Sequence, residues 1–61
     1  MKAIDKIACV ITLDDGTEVL ANVRADGVIQ RWGAPTEDLA AVVDVTEGLW
    51  DFLVEHNRGV E

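Results

Sequence analysis

Asp-Gly occurs twice, at Asp15-Gly16 and Asp26-Gly27, eleven residues apart, and each pair sits between runs rich in apolar and β-branched residues. Asp followed by Gly is the strongest short-range hairpin signal, because Gly takes up a positive φ that other residues resist. Two such turns so close together predict a three-stranded antiparallel meander, with strands at roughly 4–13, 17–24 and 28–32. Pairing fixes the register. A two-residue Asp15-Gly16 loop would set Leu13 against Glu18. A three-residue loop with Gly16 left-handed sets Leu13 against Thr17, Ile11 against Val19, Cys9 against Ala21 and Ile7 against Val23. The second keeps small and β-branched apolar residues opposite one another, so a bulged three-residue loop is expected. The same loop at Ala25-Asp26-Gly27 pairs Arg24 with Val28, Val23 with Ile29, Asn22 with Gln30 and Leu20 with Trp32.

After Gly33-Ala34-Pro35 the periodicity changes. Thr36 is the expected helix N-cap, and Glu37 and Asp38 complement the positive end of the helix. Leu39, Val42, Val43, Thr46, Leu49, Trp50 and Leu53 then follow helical spacing, predicting a helix over 36–57 with Gly59 as its C′ residue. Val42, Val43 and Val45 are weak helix formers, and Thr46-Glu47-Gly48 resembles a second N-cap. A kink near residue 45, or a short strand at 41–45, is therefore an alternative. The fold expected is α+β, a β-meander packed on one C-terminal helix (βββα), with residues 1–61 as one small domain.

Composition narrows the function. Twelve acidic against five basic residues give a net charge of -7 at pH 7, which disfavours direct binding to nucleic acid or to an anionic membrane. There is no Ser or Tyr, one His and one Cys, so a serine nucleophile, a tyrosine acid, a multi-histidine metal site and an intrachain disulfide are all excluded. Met1 to Lys6 carry charge where a signal peptide needs its apolar run, so a cytoplasmic location is expected. Cys9 falls on the predicted core face and reads as an inert thiol. His56 lies near the helix C-terminus, where a structural role is the default. Asp14, Asp15 and Asp26 are explained by their turns, and no glycine cluster precedes a helix as in a phosphate-binding loop. No catalytic residue, metal or cofactor is expected.

What remains is surface. On a helical wheel the apolar sector spans roughly 200°, with Val45, Phe52 and His56 at one margin, against the ~100° of an ordinary surface helix. The outer sheet face carries Val10, Leu20, Val28 and Trp32, three of them adjacent across the strands. A contiguous apolar patch containing Trp marks a candidate interface, and the excess in both halves points to a homodimer. Opposite the apolar helix face, Glu37, Asp44, Glu47, Asp51 and Glu55 form an acidic ridge with no interleaved basic residue before Arg58. Such a ridge suits a partner protein with a basic surface. A third cluster, Arg24, Arg31 and Asn22 beside Trp32, offers two guanidiniums and an aromatic for an anionic or nucleotide ligand. The expected function is a non-enzymatic interaction protein that binds and inhibits a partner macromolecule, in general character like the small acidic accessory proteins of phages. A ligand binder with its site at a dimer interface and a structural assembly subunit are the alternatives.

Overall fold

The computed structural model describes residues 1–33 and 39–60. Three strands, β1 (Lys6–Thr12), β2 (Glu18–Arg24) and β3 (Ile29–Trp32), form one antiparallel sheet in the order β1-β2-β3, and a helix, α1 (Leu39–Arg58), follows. This is the βββα arrangement expected. The register is also the one the bulged loops require: Ile7 faces Val23, Cys9 faces Ala21, Ile11 faces Val19, and in the second pair Val23 faces Ile29 and Leu20 faces Trp32.

Both hairpins close the same way. Gly16 donates to the Leu13 carbonyl (3.0 Å) and Gly27 to the Arg24 carbonyl (3.1 Å), while Leu13 donates to Thr17 and Arg24 to Val28 across the turn. Gly16 and Gly27 sit at φ +91° and +95°, the left-handed position that ends a type I turn with a bulge.

α1 runs unbroken through residues 41–48, so the strand alternative at 41–45 does not occur and Thr46-Glu47-Gly48 is mid-helix, not a second start. Apolar packing overrides the weak propensity of the valines there: Val42 is buried against the sheet, as is Leu53 three turns on. The expected Thr36 cap and the acidic pair Glu37-Asp38 lie outside the described residues. At the other end Gly59 is not left-handed. The helix instead winds down through i+3 turns, Gly59 to the His56 carbonyl and Val60 to the Asn57 carbonyl, both 3.2 Å.

The core is narrower than the sequence pattern implies. Of the inner-face residues only those on the central strand, Val19, Ala21 and Val23, are fully buried, and on α1, which packs mainly on this strand, so are Val42, Thr46 and Leu53. Ile7, Cys9, Ile11, Leu13 and Ile29 are half-buried. One helix about 10–12 Å across covers the middle of the sheet and leaves its edges partly open. Cys9, expected as a buried thiol, is for that reason half-exposed on an edge strand.

Side-chain hydrogen bonds tie α1 to the sheet and to the segment before it. Asn57 accepts from the Ile4 amide (2.8 Å) and donates to the Ile4 carbonyl (2.9 Å), acting as a one-residue strand partner for the segment before β1. His56 Nε2 lies 3.0 Å from the Lys2 carbonyl, and since a carbonyl only accepts, this nitrogen carries the proton. Nearer the start of α1, the Thr46 hydroxyl donates back to the Val42 carbonyl (2.8 Å) and accepts from Arg31 Nε (3.0 Å) and Nη2 (2.8 Å). Trp50 packs its indole beside the second turn, its Cζ2 about a van der Waals contact from where a Gly27 side chain would begin.

Candidate interaction surfaces

Alternation along the strands sends every second side chain away from α1. The outer sheet face so formed has four cross-strand rows. Lys6 faces Arg24 in the first, Ala8, Asn22 and Gln30 form the second, Val10, Leu20 and Trp32 the third, and Thr12 faces Glu18 in the fourth. The third row is the apolar patch expected from sequence. Val10 and Leu20 are each 51 % exposed and Trp32 47 %, so about half of each residue is open to solvent. Val28 is also exposed, but it lies beside Arg24 at the far end, separated from Trp32 by Gln30. Beside the third row the small side chain of Ala8 leaves an open depression of about 310 Å³, lined by Ala8, Val10, Leu20, Asn22 and Trp32 with Cys9 and Ala21.

The three residues proposed to join Trp32 in a ligand site are not brought together. Asn22 borders the depression. Arg24 is on the same face but two rows from Trp32, and one of its guanidinium nitrogens, Nη2, is held by Asp26 at 2.7 Å. Arg31 pairs with Ala21, which puts it on the inner face, where Thr46 holds it. A cradle of two guanidiniums around Trp32 therefore does not form within one chain. The sequence contained the signal: Arg31 stands two residues from core-facing Ile29 and takes the same face.

The second surface is on α1. Asp44, Glu47, Asp51 and Glu55 are all exposed on its outward side. Glu55 is partnered by Arg58 (3.1 Å), and among the described residues Asp44, Glu47 and Asp51 have no ion pair. Glu37, the fifth member expected, lies outside the described residues. Alongside the ridge runs an apolar strip, with Val45 48 % and Phe52 56 % exposed, the small residue Gly48 between them and Ala41 one turn before Val45. Phe52 stacks on His56 with ring centroids 6.1 Å apart. The sequence placed Val45 and Phe52 at the margin of the apolar sector. The structure shows that the sheet leaves that margin uncovered, so acid and apolar stripes lie side by side.

Among the described residues no three His, Cys, Asp or Glu side chains converge as metal ligands, and no helix is long and apolar enough to cross a membrane. Comparisons with protein-family models, with characterised proteins and with solved structures return no match. The functional reading therefore rests on these two surfaces.

Proposed function

We propose that this is a non-enzymatic interaction protein whose helix α1 docks on a basic surface of a partner macromolecule and masks it. The observation that carries this reading is the paired striping of α1: three carboxylates, Asp44, Glu47 and Asp51, that have no ion pair among the described residues, beside exposed Val45 and Phe52. No Lys or Arg occurs between Leu39 and Asn57 to neutralise the ridge. A basic, partly apolar partner surface complements both stripes at once. The carboxylates steer the encounter and set its register, and Phe52 and Val45 supply the dehydrated contact. Blocking a nucleic-acid-binding surface on the partner is one consequence such charge placement would have.

The test must separate the ridge from mere net charge. The probe is an amphipathic Lys/Leu peptide, titrated against the wild type and two variants of equal net charge. One neutralises the ridge (Asp44→Asn with Asp51→Asn). The other neutralises two carboxylates elsewhere (Asp5→Asn with Asp14→Asn). The ridge variant is expected to bind at least about tenfold more weakly and the control within about threefold of wild type, with wild-type affinity falling as salt is raised. Equal losses in the two variants, or affinity indifferent to salt, would remove α1 as the docking surface. Phe52→Ala reports the apolar half of the contact by the same titration.

A further inference from the structure

The outer face of the sheet has a polarity of its own. At one end Lys6 and Arg24 stand directly opposite each other across β1 and β2. Like charges in that position repel, and Asp26 compensates only Arg24. At the other end of the same face is Glu18, with Asp14 and Asp15 in the turn beyond. Between them the bulky row Val10–Leu20–Trp32 lies next to the hollow at Ala8 and Asn22. The face is thus basic at one end and acidic at the other, with a ridge and a hollow between.

A surface of this kind is complementary to itself in one orientation. A two-fold axis between two such faces can run along the strands or across them. Along the strands, it sets Arg24 against Arg24 and Glu18 against Glu18. Across the strands, it reverses the second copy, and Arg24 of each copy then meets Glu18 of the other. The same operation lays Val10 and Leu20 of each copy over the Ala8–Asn22 hollow of the other, and Trp32 over Gln30. Faces of sheets packed this way lie about 10 Å apart, with side chains interdigitated.

We infer that the outer sheet face is a homodimer interface, with the second copy running antiparallel, the Trp32 rows interleaved and Arg24 paired with Glu18 at both ends. α1 lies on the opposite face of the sheet and stays outside, so the inference stands whether or not the helix binds a basic partner. Strands of this length and spacing bury on the order of 500 Å² per copy, about 1,000 Å² in total, which is at the lower limit for a specific complex. Area alone does not set affinity, so the test is centred on a weak association, with a working dissociation constant of about 10 μM.

Sedimentation equilibrium over loadings from about 1 to about 500 μM brackets that value. Wild type should pass from monomer to dimer across the range. Leu20→Lys should remain monomeric, while Phe52→Lys on the helix should dimerise like wild type. The charge variants test the orientation. Glu18→Arg and Arg24→Glu should each weaken the homodimer about tenfold or more, whereas an equimolar mixture of the two should form a heterodimer at near wild-type affinity. In that mixture every end contact again pairs opposite charges. Far-UV circular dichroism of each variant alone establishes that it is folded, and the Leu20→Lys comparison stands independently should Arg24→Glu disturb its own hairpin. A wild type that is monomeric at every loading would overturn the inference, as would a dimer that survives Leu20→Lys. A mixture no tighter than the single variants would overturn the antiparallel arrangement. Native mass spectrometry of the protein as isolated covers the other occupants: a monomer carrying a foreign chain or small molecule that Leu20→Lys releases assigns the face to that occupant and not to a second copy.

Discussion

In each hairpin the carboxylate one residue before the glycine accepts the amide that the bulge takes out of the ladder, Thr17 N–H to Asp15 at 2.9 Å and Val28 N–H to Asp26 at 3.1 Å. That is why Asp precedes Gly twice: the glycine supplies the backbone angle and the aspartate satisfies the donor left over. The Thr17 amide, and after it the Thr17 hydroxyl, hold the Asp15 carboxyl below its ordinary pKa. A folded-state pKa below the unfolded one adds stability above the unfolded value, about 4, and that contribution is lost as pH falls through the folded value. Asp15→Ala should therefore lower the urea midpoint at pH 7, and its deficit relative to wild type should shrink in measurements below about pH 4. A deficit constant down to pH 2 would mean that the charge contributes nothing. Gly16 tests the other half of the device. A side chain there would meet nothing within 4 Å, so Gly16→Ala isolates the backbone cost of φ +91°. That cost should be about 1–2 kcal/mol in denaturant unfolding, with Gly16→Asn less damaging because Asn tolerates the left-handed region.

The helix and sheet meet through a small apolar seam and a few polar clamps, and the clamps divide the work unequally. Thr46 is fully buried, and its hydroxyl is the shared acceptor for two nitrogens of Arg31. Thr46→Val keeps the volume and strips Arg31 of that partner, which should cost about 1.5–3 kcal/mol because the lost bonds carry a charged donor. Arg31→Ala leaves Thr46 bonded to the Val42 carbonyl, so it should cost less. The double variant should be less destabilised than the sum of the two, with a coupling of about 1 kcal/mol in a double-mutant cycle of unfolding free energies. Strict additivity would show the contact to be idle. Leu53→Ala, at a site with no exposure, should cost about 2–5 kcal/mol, enough in so small a core to leave much of the protein unfolded by circular dichroism at 25 °C. Strands and register were legible because β-branched pairing and two Asp-Gly turns leave a single self-consistent alignment. The clamp was not, because Arg31 reads as a surface charge until the register puts it opposite Ala21. Helix continuity was not legible either. Three valines argue against a helix locally, and only the burial of Val42 and Thr46 together decides the matter. On the surfaces, the exposed row at Val10, Leu20 and Trp32 followed from alternation alone. The split between Trp32 and Arg31 required the sheet face to be assigned residue by residue.

At the scale of the whole molecule the chain has more apolar surface than two thin layers can cover, and it keeps a charge of -7 beside it. α1 shows the tension most directly. Asp44–Glu47, Glu47–Asp51 and Asp51–Glu55 are spaced three or four residues apart on one exposed side, and each such like-charge pair destabilises a helix by a few tenths of a kcal/mol. Among the described residues Arg58 relieves only Glu55. If solubility were the ridge's whole purpose, the same charge scattered over the sheet edges and turns would serve without this self-repulsion. Concentrating it beside Val45 and Phe52 makes sense when a basic partner is to be met there. The two requirements then pull in opposite directions, and one variant reads both. Asp44→Asn with Asp51→Asn removes all three repulsive pairs, so it should raise unfolding stability by about 0.5–1 kcal/mol at low ionic strength. The gain should fade at about 1 M salt, where charges a few ångströms apart are screened. The same variant should lose affinity for a basic amphipathic peptide. Greater stability together with weaker binding is the signature of a surface kept for recognition at a cost to the fold. A variant that is no more stable than wild type and binds as well would show the ridge to be an ordinary solvated helix face.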